Sequence, residues 1–257
     1  MAVTPLGIGR PPLYALTYDA VNEGVFGRAD GLQCPHFEAS TGSCGIWLHR
    51  NAVCSTWFCR HNRGIAGQEM WSDINRLLRI VERSLSIWAA ERLGLASSGL
   101  RQALLMAEAG NAQVLMLELG GDWPAVGRRC WAGWHRPVAD FFVEADKLVA
   151  PLEWTQVRHI CGSDLSAHVA VCRDSVTTLD SEVKLPPIVR TAPQLGIQYG
   201  RTLTTRNALD GLRLSVPMIQ ALEVASNGCP IADVLACGVT EREIRELLDW
   251  RALVEGG

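Results

Sequence analysis

Residues 67–94, "GQEMWSDINRLLRIVERSLSIWAAERLG", carry the clearest structural signal of the chain. Large apolar side chains recur there at the three- and four-residue intervals that place them on one face of a helix. They are Met70, Ile74, Leu77, Leu78, Val81, Leu85, Trp88 and Leu93. Glycine commonly follows the last residue of a helix, and Gly94 occupies that position. The stretch therefore predicts a long amphipathic helix over 67–93 that stops at Gly94.

The residues that follow continue the helical pattern. Further helices are predicted at 97–109, at 137–149 and at roughly 153–172. Ser97 or Ser98 is placed to cap the first of these, and Gly110 to end it. The short apolar run at 112–119 fits either a strand or the continuation of a helical pair. Together these patterns predict a helical body over 67–175.

The composition changes near residue 174, where prolines, glycines and short β-favouring runs begin. Strands are predicted at Ile188–Thr191, Gly196–Tyr199 and Thr202–Thr205, and short helices at 215–226, 230–236 and 240–249. Pro230 suits the start of the second helix, and Thr240 with Glu243 forms a capping box at the start of the third. A small hairpin followed by three short helices is typical of winged-helix domains. We therefore predict a winged-helix-like domain over 176–257.

The whole chain predicts a mainly α fold with a small β component. An irregular arm over 1–33 and a cysteine-rich segment form the predicted N-terminal region 1–66, which precedes the helical body and the winged-helix-like domain. The length of 257 residues allows one large domain or two smaller ones, each with a real core. The net charge of -3 gives no global basic field for nucleic acid or anionic lipid.

The role expected for the cysteines depends on the compartment, because the compartment determines whether thiols stay reduced. The start of the chain has neither the charged region nor the apolar core of a signal peptide, and no run approaches the length of a membrane span. We therefore expect a cytoplasmic protein without a membrane partner, in a compartment where thiols stay reduced. The nine cysteines are then ligands, nucleophiles or core residues rather than a disulfide framework.

Four cysteines lie in residues 34–64, "CPHFEASTGSCGIWLHRNAVCSTWFCRHNRG", where turns are predicted at "STGS" and "HRN". They are Cys34, Cys44, Cys54 and Cys59, separated by nine, nine and four residues. Thiolates are the preferred ligands of zinc and of iron–sulfur clusters. Structural zinc sites usually use tight C-x-x-C pairs, so this wide spacing favours a [4Fe–4S] cluster, with zinc as the alternative. The rings of Trp47, Trp57 and Phe58 would keep water from such a cluster.

Other roles for this segment remain open. Each cysteine could be a small core residue, since free cysteine is among the most buried residue types. His36, His49 and His61 could be ligands, proton donors or surface residues. Arg60, His61 and Arg63 follow the last cysteine, and their positive charge would offset a thiolate cluster or grip an anionic substrate. These three are the candidate catalytic residues, and a solvated turn is the alternative.

The segment resembles the cysteine-cluster proteins of the YkgJ type, which are described as zinc- or iron-chelating. The matching residues are Cys34, Pro35, Phe37, Gly42, Cys44, Ile46, Trp47, Arg50, Cys54, Phe58 and Cys59. Two features depart from the family pattern: its upstream paired cysteines are missing, and Asn51 stands where a proline would follow Arg50. The resemblance covers residues 34–59 only. It implies metal or cluster binding and no particular reaction.

Three further cysteines could complete a site or act by themselves. Cys130 lies in "GRRCWAGWHRP", where neighbouring arginines could lower its pKa and make it a reactive thiol; a packed corner between helices is the alternative. Cys161, His168 and Cys172 share a rough helix face, which could supply an extra ligand or a second site. A buried helical stripe explains the same spacing more simply.

The C-terminal region 186–257 bears on partners. Cys229 and Cys237 are expected in its core, its arginines are balanced by acidic residues, and its last helix, "TEREIRELLDW", is acidic. Phosphate contacts dominate affinity for DNA, so we expect no DNA partner. The pattern loosely resembles the peptide-recognition domains of peptide-modifying pathways, in which an extended segment adds to a sheet edge. It therefore favours a protein or peptide partner.

These features together predict an iron–sulfur cluster-binding protein. The sequence leaves open whether it is also an enzyme that acts on a small or peptide substrate beside the cluster. One alternative is a zinc-stabilised, non-enzymatic adaptor that binds a partner through its C-terminal domain, and another is a cysteine-dependent enzyme that uses Cys130. The G-x-S-x-G, P-loop, G-x-G-x-x-G, H-E-x-x-H and C-x-x-x-C-x-x-C patterns are all missing, which weakens the hydrolase, nucleotide-dependent and radical-SAM hypotheses.

Overall fold

A computed structural model describes residues 2–9, 36–56, 61–108, 123–193, 197–198, 201–204 and 211–256. The chain divides into two compact units, each built from two separate stretches: unit 1 combines 1–51 with 77–167, and unit 2 combines 52–76 with 168–257. The described residues are mainly helical with small sheets, which confirms the predicted mainly α fold with a small β component. The division into domains at 1–66, 67–175 and 176–257 stays a prediction.

The helices are α1 (Ala52–Thr56), α2 (Gly64–Arg92), α3 (Ser97–Glu108), α4 (Trp123–Arg129), α5 (Val138–Val149), α6 (Trp154–Asp180), α7 (Val216–Val224), α8 (Ile231–Ala236) and α9 (Glu241–Asp249). The strands are β1 (Ala2–Thr4), β2 (Gly7–Gly9), β3 (Phe37–Glu38), β4 (Ser43–Cys44), β5 (Ile188–Thr191), β6 (Ile197–Gln198), β7 (Thr202–Thr204), β8 (Gly211–Arg213), β9 (Cys229–Pro230) and β10 (Leu253–Glu255). Short 3₁₀ helices lie at Trp47–His49 and Ala225–Asn227. Among the described helices, none combines the length and the apolarity that crossing a membrane requires.

Helix α2 confirms the long helix that its periodicity predicts, and it ends where the sequence indicates. The backbone N–H of Leu95 donates to the carbonyl of Ala90 at 3.0 Å, and that of Gly94 donates to Glu91 at 3.1 Å. Gly94 has a φ of 77°, which is the left-handed conformation that glycine adopts without steric cost. This pair of bonds is a Schellman motif, so the last carbonyls of the helix are satisfied.

The other predicted helices of the body are confirmed in part. Helices α3 and α5 match the predicted spans to within one residue, whereas Gly110 and the run at 112–119 lie outside the described residues. The predicted cap of α3 is wrong, because Ser97 and Ser98 lie inside the helix and the carbonyl of Ala96 accepts from the N–H of Leu100. Helix α6 continues to Asp180, well past the predicted end near 172, and a non-helical residue at Gly162 interrupts it. The later turns contain β-branched residues that weaken the helix signal. Within unit 2, Ser175 Oγ donates to Asp73 Oδ2 at 2.6 Å, and no local sequence pattern predicts this tertiary contact.

The N-terminal arm differs from the prediction in its first residues. Strands β1 and β2 pair antiparallel as a tight hairpin over residues 2–9, within the arm that was predicted to be mostly irregular. Thr4 Oγ1 donates to the carbonyl of Gly7 at 3.1 Å across the turn. In unit 1 the carbonyl of Val3 also accepts a hydrogen bond from Trp131 Nε1 at 3.3 Å, so the hairpin is held by a partner far along the chain. Residues 10–35 lie outside the described residues.

The described residues of unit 2 form two small antiparallel sheets with the strand orders β10-β5-β9 and β6-β7-β8. Strand β5 has the predicted bounds, and β6 and β7 fall within the predicted runs. Helices α7, α8 and α9 confirm the three predicted short helices; Pro230 is the N-cap of α8 rather than its first residue. The capping box of α9 is confirmed, because the N–H of Glu243 donates to Thr240 Oγ1 at 3.2 Å and the N–H of Thr240 donates to Glu243 Oε2 at 2.8 Å.

The cores of the two units have different compositions. Unit 2 packs mainly aliphatic side chains from its strands and helices around the fully buried Val234, Ile244 and Leu247. Unit 1 has a small cluster centred on Phe141. The Phe141 ring meets Trp131 and Trp134 edge to face, with centroids 5.1 and 5.2 Å apart. The tryptophans of the 127–137 stretch therefore form a packed corner, as one of the two interpretations predicts.

Candidate functional site

Cys44 lies on a short β-hairpin. Strands β3 and β4 pair antiparallel with Cys44 opposite Phe37, and the N–H of Gly45 donates to the carbonyl of His36 at 2.9 Å. The connecting turn confirms the one predicted at "STGS": the N–H of Gly42 donates to the carbonyl of Glu38 at 2.8 Å. The Cys44 side chain is half-buried. The hairpin thus fixes the backbone position of one predicted ligand.

The segment after this hairpin exposes large apolar side chains. Trp47 is 61% exposed and Leu48 is 87% exposed, both in the 3₁₀ helix that follows β4. The Arg50 guanidinium lies 3.5 Å from the centroid of the Trp47 ring, and Arg50 Nε donates to the Trp47 carbonyl at 3.1 Å. Trp47 thus stacks on a cation. Trp57 and Phe58 lie outside the described residues, so the shielding of a cluster by aromatic rings stays a prediction.

Cys54 lies on the single turn and a half of α1. Thr56 Oγ1 donates to the carbonyl of Ala52 at 2.7 Å and accepts from Asn75 Nδ2 at 2.8 Å, which ties this short helix to α2 within unit 2. The Cys54 side chain is exposed. The other two predicted ligands, Cys34 and Cys59, lie outside the described residues.

The seven cysteines among the described residues form no disulfide. In the same part of the chain, no group of three or more His, Cys, Asp or Glu side chains is arranged to hold a metal ion. Cys44 and Cys54 are thus thiols that could act as ligands. A site with three or more ligands that includes either of them needs at least one donor from outside the described residues, and Cys34 and Cys59 are the predicted ones.

Arg63, one of the three candidate catalytic residues, makes several side-chain hydrogen bonds within unit 2. Its Nε and Nη2 donate to the Asp249 carboxylate, with Nη2 lying 2.7 Å from Oδ1. Its Nη1 donates to three carbonyls at the C-terminal end of α6, those of Thr178, Leu179 and Ser181. One guanidinium therefore holds the backbone before α2 against two other elements of unit 2. Arg63 has a φ of 62°, which is uncommon for a residue other than glycine.

Gly64 lies directly beside this clamp. A Cβ atom added there would lie 2.5 Å from Nε1 and 2.6 Å from Cδ2 of the Trp250 ring, and Gly64 has a φ of 53°. Only glycine fits both the conformation and the space. The "RG" pair at the end of the cysteine segment therefore has a structural task that the sequence did not reveal. A catalytic role for Arg63 stays a prediction, as it does for half-buried His61; Arg60 lies outside the described residues.

The reactive-thiol hypothesis for Cys130 is wrong. Its side chain is 0% exposed, and its thiol donates to Met106 Sδ at 3.3 Å and contacts the Val126 carbonyl at 3.4 Å. Burial raises the pKa of Cys130 to about 11, against a smaller lowering effect of Arg129. A neutral, enclosed thiol is a poor nucleophile.

The remaining cysteines have packing roles. Burial raises the pKa of Cys161 and of Cys172, and both side chains lie in the interior, in agreement with a buried helical stripe. Cys229 and Cys237 pack against the core of unit 2, as predicted. These four thiols therefore have a structural explanation that needs no ligand.

The chain was compared with known proteins. No protein-family model, no curated protein and no solved structure matches it. A functional assignment therefore depends on the residues themselves.

Proposed function

We propose that this chain is an iron–sulfur protein that binds a [4Fe–4S] cluster through Cys34, Cys44, Cys54 and Cys59. The observation that carries the proposal is the presence of four thiols in one short, turn-rich segment. Two further observations support it. Cys44 and Cys54 form no disulfide, and each lies on an element that hydrogen bonds hold in place. The resemblance to the YkgJ-type proteins agrees with the same donor set.

The chemistry of the donor set fits such a cluster. A [4Fe–4S] cluster bound by four thiolates would supply one-electron transfer. The residues of the chain would bind and orient a substrate: Arg60 and His61 would carry positive charge and a proton donor next to the last ligand. Arg63 would keep that segment in register through its bonds to Asp249 and to the end of α6. As an enzyme, the protein would act on a small or peptide substrate in the cytoplasm.

Analysis of metal content tests the proposal. The protein is purified without oxygen, its visible spectrum is recorded, and iron, acid-labile sulfide and zinc are measured on the same sample. We expect a broad band at about 400 nm and about four iron and four sulfide per chain. Cys44→Ser and Cys54→Ser should each lose most of the colour and iron.

Cys229→Ser is the matched control, because Cys229 is a half-buried cysteine outside the segment. It should keep the full spectrum. A colourless wild-type protein would contradict the cluster. So would Cys44→Ser and Cys54→Ser variants that keep their iron.

A zinc-stabilised adaptor is the second candidate. The observation in its favour is that unit 2 combines small antiparallel sheets with α7, α8 and α9, which supports a winged-helix-like region over 186–257. An edge strand there would pair with an extended segment of a partner protein or peptide. The acidic α9 disfavours DNA. Stoichiometric zinc without colour would favour this function over the first.

A further inference from the structure

Unit 1 contains a cleft that none of the functions above uses. It lies between the last turns of α2 and the beginning of α6 and has a volume of 330 Å³. Pockets that bind small molecules typically begin at about this size. Its apolar surface comes from Trp88, Leu152 and Ile160, and its polar groups come mainly from Arg92, Gln156 and His159. An apolar cleft with a few convergent polar groups is the usual form of a small-molecule site.

The α2 side of the cleft presents an aromatic ring and a cation together. Trp88 and Arg92 are one helical turn apart, and the Arg92 guanidinium carbon lies 4.8 Å from the centroid of the Trp88 ring. A guanidinium near an aromatic face can still offer its N–H edge to a carboxylate. Arg92 is solvent-exposed, so a ligand can reach it. The guanidinium occupies one face of the Trp88 ring, so a planar anion would lie against the rest of the ring that lines the cleft and would meet a fork of donors at its end.

The α6 side adds oriented polar groups. Gln156 Oε1 accepts a hydrogen bond from the backbone N–H of Glu153 at 2.8 Å, which holds the amide at the start of the helix. His159 lies close to one turn further along α6 and lines the same cleft. Of the described residues that line the cleft, none is Asp or Glu. The local charge therefore favours an anion over a cation.

We propose that this cleft binds a small planar aromatic carboxylate. The aromatic ring of the ligand lies against Trp88 and Ile160, and the carboxylate of the ligand pairs with Arg92 and with His159. None of the described residues that line the cleft is a proposed cluster ligand.

Titration with a defined probe tests the cleft. The indole N–H signal of Trp88 in ¹⁵N-labelled full-length protein is first assigned as the signal that disappears in Trp88→Phe. Indole-3-acetate is then added to the wild-type protein, and the position of this signal is followed. A probe of this size with ordinary ligand efficiency binds with a Kd of about 1 mM. We expect saturable shifts of the Trp88 signal. Indole-3-acetamide, which lacks the charge, and cyclohexylacetate, which lacks the planar ring, should each bind at least fivefold more weakly.

Variants at exposed positions separate recognition from folding. Arg92→Gln should weaken indole-3-acetate about tenfold, because a charge-assisted bidentate contact is lost. The Kd of Arg92→Lys should lie between those of the wild type and Arg92→Gln, since lysine keeps the charge but lacks the paired donors of the guanidinium. Arg79→Gln, an exposed arginine of the same helix outside the lining, should leave the Kd within twofold. Shifts that never saturate, equal binding of the amide, or an unchanged Kd in Arg92→Gln would each overturn the proposal.

Discussion

The hydrophobic cores of the two units are built from different kinds of side chain. Among its described residues, unit 2 spreads its core over fifteen buried side chains, mostly aliphatic, that come from strands and helices alike. In unit 1 the ring of Phe141 is central, with Trp131, Trp134 and Phe142 all edge to face against it. A distributed core shares its free energy among many contacts, whereas a centred core depends on one side chain. The units should therefore differ in their tolerance of single substitutions.

The largest effect should come from the centre of unit 1. Phe141→Ala removes a 1% exposed ring that three other rings contact, and should cost about 4 kcal/mol of the free energy of unfolding. Leu247→Ala, a fully buried residue of the unit 2 core, should cost about 3 kcal/mol. Urea unfolding followed by near-UV circular dichroism and by tryptophan fluorescence measures both. A larger cost for Leu247→Ala than for Phe141→Ala would break the comparison.

Two glycines with left-handed backbones form a second matched pair, one in each unit. Gly64→Ala should cost about 3 kcal/mol, because it adds backbone strain and forces a Cβ atom into the Trp250 ring. Gly94→Ala should cost about 1 kcal/mol, because its φ is also positive but no atom lies within 4 Å of the added Cβ. Thermal unfolding of the two variants gives the difference. Equal losses would show that the Trp250 ring moves aside at little cost.

The ion pairs of the two units should also differ, with the larger cost in unit 2, as for the glycines. Asp249→Asn weakens a pair whose side chains are only 24% and 15% exposed, and should cost about 2 kcal/mol after allowance for that exposure. Asp140→Asn weakens the pair with Arg136, whose side chains are 54% and 42% exposed, and should cost about 0.5 kcal/mol. Repeating the urea titrations in 1 M salt sharpens the test, since salt screens exposed pairs far more than enclosed ones. A salt-sensitive Asp249 pair would contradict its assignment as an enclosed contact.

The smallest effect concerns helix starts and depends on pH. Helix α9 has a side-chain capping box, whereas α5 follows Pro137 without a side-chain cap. Hydrogen bonds from the backbone N–H and the hydroxyl of Thr240 lower the pKa of Glu243. A carboxyl group with a lowered pKa stabilises the fold above its unfolded-state pKa and loses that contribution as pH falls through its folded pKa.

Glu243→Gln should therefore cost about 0.5 kcal/mol at pH 7, and this cost should shrink as the pH falls toward about 3. Stability of the wild type and the variant is measured across this pH range. Thr240→Ser, which keeps the capping hydroxyl, is the control and should behave like the wild type. A cost that is the same at pH 3 and at pH 7 would contradict a charge-dependent cap.

The sequence was informative wherever the signal is local. The periodicity of α2, its end at Gly94 and the capping box of Thr240 each depend on residues within a few positions, and all three are confirmed. The extension of α6 and the bonds of Arg63 depend on partners more than a hundred residues away, which no local pattern contains.

The candidate site shows the same division. Spacing identified the cysteines, and the structure places Cys44 on a hairpin and Cys54 on a short helix, while their convergence with Cys34 and Cys59 stays a prediction. The Cys130 hypothesis failed because neighbouring arginines suggested an electropositive thiol, whereas packing enclosed it. The Trp88–Arg92 cleft escaped notice because its two sides are far apart in the sequence.

The clamp at Arg63 has a consequence for the history of the sequence. One planar guanidinium bonds to a carboxylate and to three carbonyls, and a lysine has neither the number nor the arrangement of donors to replace it. Loss of Arg63 would remove this guanidinium from the Asp249 carboxylate, and loss of Asp249 would remove the carboxylate from the guanidinium. When relatives of this chain are aligned, positions 63 and 249, 186 residues apart, should therefore change together or not at all.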